Sequence, residues 1–204
     1  MSAVEPLHDL KGHIKNLWEL IPQHLPQELK QCFKEELNLA MGNKDQYRGS
    51  DYRLSAILIY QRLRGKCPLE FEELLFTLVE ITRLSYQKAN LRSPRSILRL
   101  YNVTFLHSAR CEQIFGPTPK LTKFYGVYYH ATITHLPETS RVIAPSSLYT
   151  ESEERIFGAV RAICLAASQR GVDSVRDVGI IRLLILIIIM NSFFITKIYI
   201  MMKK

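Results

Sequence analysis

A chain of 204 residues with 47% hydrophobic and 23% charged residues is long enough for one domain with a real core. Those proportions exclude a disordered polyelectrolyte and a polytopic membrane protein. A formal net charge of +8 suits a polyanionic partner, either nucleic acid or an anionic membrane surface, although an ordinary basic globular protein carries the same balance.

Helical signals dominate the chain. Leu7, Leu10, Ile14, Leu17 and Ile21 recur at three- and four-residue steps, which predicts a helix ended by Pro22. A second helix is expected after Pro26, carrying Leu29, Phe33, Leu37 and Met41 and stopped at Gly42 and Asn43. Ser50 or Asp51 is the expected cap of a third helix that runs through Tyr60 and Leu63 and halts at Gly65. Pro68 opens a long helix with Glu72 and Glu73 near its positive end. Ser93-Pro94 marks the next boundary, followed by a helix or a β-branched hybrid, and GPTP at 116–119 is a loop. Residues 121–135, with three tyrosines, read as strand or helix. A further helix is expected from Thr150 to about Gln169, ended by Gly171.

The cysteines Cys32, Cys67, Cys111 and Cys164 show no CxxC and no zinc-type pairing, so reduced thiols are expected rather than a disulfide framework or structural zinc. MSAVEPLHDLKGH has no basic segment followed by an apolar run, which predicts a nuclear or cytoplasmic body. Gly-rich phosphate loops, GxSxG elbows, HExxH and kinase signatures do not occur.

The densest chemistry lies between 125 and 163. With Thr150 as cap, Glu153 closes a capping box and Glu151 answers the helix dipole, which leaves Glu154 without a structural task. Glu154 falls roughly 125° from the stripe Ile156, Phe157, Val160, Ile163, Cys164 and Ala167. A carboxylate at such an edge reaches a cleft where a divalent ion binds, although a solvated Glu154 beside Arg161 fits the same spacing. His130 and His135 are five apart, and on an α-helix they would face ~140° apart, unable to share one metal. Lys88, Arg92, Arg95 and Arg99 recur at helical spacing, as a phosphate-facing stripe or an ordinary solvated face would.

His130, His135 followed by Leu136, and the pair Glu154-Arg155 opening a helix together resemble the late core of CACTA-like and Kyakuja-Dileera-Zisupton-like transposases. At the other end, EPLHDLKGHIKNL resembles the segment around such an enzyme's second catalytic acid, with Glu5 in the place of an aspartate, His8 in that of a histidine and Gly12 in that of a glycine. The resemblance implies an RNase H-like Asp-Asp-Glu site in which Glu154 is the late catalytic acid and metal ligand. His8, His130, His135 and Arg155 would support it. Glu5 is a methylene longer than the family's aspartate, and the strands bearing the first acid would lie upstream of Met1. The implied fold is mainly α: a helical remnant of an RNase H-like core with a helical insertion over 1–177, and a C-terminal apolar helix over 178–204. The implied protein is a transposon-derived remnant that does not cut DNA alone. It needs no cofactor of its own, with Mg²⁺ or Mn²⁺ expected only where the ancestral site survives.

Residues 183–196, LLILIIIMNSFFIT, carry no charge. Taken from Ile180 to Met202 the segment reaches bilayer-spanning length of ~20 residues, with Lys197 able to snorkel. It is read either as a membrane tail anchor on a non-enzymatic helical body or as translated non-coding sequence. A basic helical DNA-binding or interaction module is the third expectation.

Overall fold

The structure, a computed structural model, describes residues 6–42, 48–117 and 123–148. The chain divides into two compact units, Met1–Tyr149 and Thr150–Lys204, and every described residue belongs to the first. Among the described residues all regular structure is helical, so the mainly α expectation holds. Glu5, Glu154, Arg155, the expected 150–169 helix and the apolar tail lie outside the described residues.

Helix α1 spans Pro6–His24, α2 Gln27–Met41, α3 Gly49–Leu63 and α4 Leu69–Ser85. A 3-10 turn at Ala89–Leu91 leads into α5, Pro94–Phe115. Then α6, Val127–His130, passes through a π-helical turn, Ala131–His135, into α7, Leu136–Val142. Each boundary has a local cause. Ser93 accepts the Ser96 N–H at 3.2 Å while the Ser93 N–H donates to Ser96 Oγ at 2.9 Å, a reciprocal cap ahead of Pro94. Gly42, Gly65 and Gly116 take positive φ of 69°, 72° and 84° just after α2, α3 and α5, where a β-carbon would be strained.

Two local expectations are corrected and one open reading is resolved. Pro22 does not end α1: the helix runs on to His24, and the Leu25 N–H still reaches Ile21 O at 3.1 Å. A proline removes one N–H but leaves the following rungs intact, and the stop comes instead where Pro26 disfavours helical backbone at Leu25. Neither Ser50 nor Asp51 is the cap of α3, which starts at Gly49, and Asp51 reaches back to accept the Arg48 N–H at 2.8 Å. The 121–135 ambiguity resolves as helix from Val127.

Helix α4 is the centre of the bundle. Phe71, Leu74, Leu75, Leu78, Ile81 and Leu84 are buried around most of its circumference. Its buried hydroxyls Thr77, Thr82 and Ser85 return their protons to the carbonyls of Leu74, Leu78 and Ile81, so those three protons need no acceptor outside the helix. Helix α5 runs antiparallel to α4, pairing Arg99 with Glu80 at one end and Arg110 with Glu73 at the other. Helix α1 joins α3 through the Trp18 indole N–H, which donates to Ser55 Oγ at 2.9 Å. Among the described residues no helix is long and apolar enough to cross a membrane.

Candidate functional site

Two helical stripes that are otherwise apolar each contain a histidine. On α1 it is His13, between Leu10 and Ile14; on α5 it is His107, between Val103 and Cys111. Both are fully buried, and their Nε2 atoms lie 2.9 Å apart. His107 Nδ1 is 2.8 Å from Thr77 Oγ1, whose own proton goes to Leu74 O. Directionality follows. Thr77 has spent its hydrogen, so His107 donates Nδ1–H to it, offers a bare Nε2, and accepts Nε2–H from His13. That leaves His13 Nδ1 as a buried acceptor with no hydrogen-bond partner among the described residues. The His13 ring is walled by Phe124 and Tyr129, with centroids at 5.7 and 5.6 Å. Burial holds His107 down to about 3. It holds His13 well below its ordinary value too, helped by His107. Both imidazoles are neutral at pH 7. A histidine inside an apolar periodic stripe is the sequence signal that would have found them.

A second constellation is cationic. Residues 81–110 contain six Lys and Arg and no Asp or Glu. Glu80, buried at the edge of α4, holds two of these cations. Arg83 Nε meets its Oε1 at 2.8 Å, while Arg99 places Nε and Nη2 at 2.7 and 2.6 Å from Oε2. The Arg83 hydrogen bonds, then those of Arg99, hold the Glu80 carboxyl below its usual range. Of the four expected phosphate contacts, only Arg95 and Arg99 lie on α5; Lys88 and Arg92 flank the 3-10 turn. Arg92 donates Nε–H and Nη2–H to Ser140 O at 2.8 and 2.5 Å, clamping the carbonyl end of α7. Lys88 and Arg95 are exposed. The crevice beside Arg92, lined by Leu84, Ser96, Ile97 and Pro145, has room for about 10 Å³, the size of one water.

The third constellation overturns the expected separation of His130 and His135. The π-helical turn places the two rings 4.6 Å apart, centroid to centroid, at 88° to each other. In an i→i+5 turn, residues five apart stack one above the other instead of diverging. The wide turn sits immediately before Pro137, which has no N–H to carry an α-helical ladder onward. His8 is exposed on α1. Gly12, on the same helix, meets the Tyr128 ring so closely that any β-carbon would overlap it. Comparison with family models, curated proteins and solved structures finds no match to this chain.

Proposed function

We propose that the helical body is a DNA-binding module descended from the terminal part of an RNase H-like transposase. Its cationic face would engage the phosphate backbone. The observation that carries the reading is the placement of charge around the α4–α5 junction. Arg83, Lys88, Arg92, Arg95 and Arg99 follow one another there, and Glu80 holds two of them, Arg83 and Arg99. Glu80 fixes two guanidiniums in place and leaves about half of each side chain, 53% for Arg83 and 52% for Arg99, open to solvent. A guanidinium has five donors, so an anchored one keeps some for a phosphate oxygen. The ancestry itself rests on the likeness of the two end segments, and the apolar tail would then be an added membrane-seeking helix.

Duplex DNA binding followed by fluorescence anisotropy tests the reading. Affinity should fall steeply between about 50 and 200 mM salt, because each neutralised phosphate releases counterions. Replacing Lys88 and Arg95 with Gln should lower affinity and flatten the slope of log affinity against log salt by roughly one unit per residue. A salt-insensitive affinity, or a double variant that binds like the parent, counts against it.

A further inference from the structure

We infer that His130 and His135 form a binding site for a late first-row divalent cation of the zinc, nickel or copper class. The inference does not depend on the DNA reading. The π-helical turn is what creates the site. Its i→i+5 hydrogen bond, from the Leu136 N–H to Ala131 O, widens the backbone by one residue and brings both imidazoles to one side.

The ring geometry suits chelation. Two imidazoles bound side by side to one ion, each with a metal–nitrogen distance near 2.0–2.1 Å, hold their ring centroids about 4.5–5.2 Å apart. The observed separation is 4.6 Å and the planes are almost perpendicular, at 88°. His130 is exposed and His135 half-buried, so an ion enters from solvent and completes its coordination with water.

Thr134 Oγ1 lies 3.4 Å from His130 Nδ1. When the hydroxyl accepts Nδ1–H, the tautomer is set and Nε2 keeps its lone pair for the metal, the usual outer-shell arrangement around a ligating histidine. The nearby carboxylate, Glu138, is engaged by Arg141 at 3.2 Å. The donors that the two histidines supply are nitrogen. Imidazole favours nickel, copper and zinc over oxygen-seeking magnesium or calcium.

The test is a calorimetric titration of the full chain with zinc, nickel and magnesium chlorides, on the parent and on His130→Ala, His135→Ala and His24→Ala. His24 is exposed and packs edge-on against Phe115, far along α1, so its variant is the control. Zinc and nickel should bind the parent and the control alike. Affinity should drop at least tenfold in each of the other two variants, and magnesium should not bind. Zinc should raise the thermal midpoint of the parent and leave that of the double histidine variant unmoved. Because both side chains reach the surface, unchanged far-ultraviolet circular dichroism is expected of the variants. Zinc affinity equal in all four chains, magnesium binding as well as zinc, or no zinc binding up to ~1 mM would each overturn the site.

Discussion

The bond between His13 and His107 needs one bare Nε2, since one ring must donate and the other accept, so the two rings cannot both be protonated while they touch. In the unfolded chain both titrate near 6.5, whereas burial depresses them in the folded protein, His107 to about 3. The sign of the pH dependence follows. Above about pH 6.5 neither state takes up protons at these positions, and their contribution to stability is fully present. As pH falls below that point the unfolded chain gains protons that the folded chain refuses, so stability is lost at up to about 1.4 kcal/mol per pH unit for each histidine. Urea unfolding at pH 7, 6 and 5 should show this decline. The His13→Leu, His107→Leu double variant should show a shallower one, and a parent midpoint that ignores pH would refute the argument. Cys111, one turn beyond His107, is fully buried and its thiol is pushed up by that burial, which makes it an unreactive core group.

At the scale of elements, the close approach of α1 to α6 depends on Gly12. An Ala there would force its methyl into the base of the Tyr128 ring, and overpacking of this kind costs about 1–3 kcal/mol. We expect Gly12→Ala to lower the urea midpoint and Tyr128→Ala, added to it, to recover part of the loss. The same scale separates what periodicity revealed from what it hid. The stripes of α1 and α2, the Pro68 start of α4 and the Ser93-Pro94 start of α5 are readable because apolar spacing and cap chemistry are local. The run of α1 past Pro22 was not, because a proline's effect depends on whether neighbouring rungs survive. The π-helical turn was hidden for a similar reason. Helical geometry at 3.6 residues per turn separates His130 from His135, and nothing in single-residue propensity announces the wider turn that unites them. The stripes of α1 and α5 mark His13 and His107 singly, but their pairing spans 94 residues of sequence and no local pattern encodes it.

For the whole molecule, the cationic face was legible as residues but not as a surface. Lys88, Arg92, Arg95 and Arg99 carry the spacing of one helical stripe. The fold breaks that stripe at the 3-10 turn, gives Arg92 a carbonyl to hold, and ties Arg99 to Glu80 along with Arg83. The apolar segment over 178–204 has a prediction of its own. Its charge-free run from 183 to 196 is membrane-seeking by composition. Membrane fractionation of the full chain against one ending at Gln169 should place only the longer in the membrane pellet. Finding both in the supernatant would remove the anchor reading.

Trp18 is the single tryptophan of the chain. It is 6% exposed, its N–H is given to Ser55, and its ring stands 5.9 Å from Phe33. Its fluorescence therefore has one origin, the place where α1, α2 and α3 converge. A red shift on denaturation would time the parting of those three helices, and a circular-dichroism trace that lagged behind it would mark α4 and α5 as the last to melt.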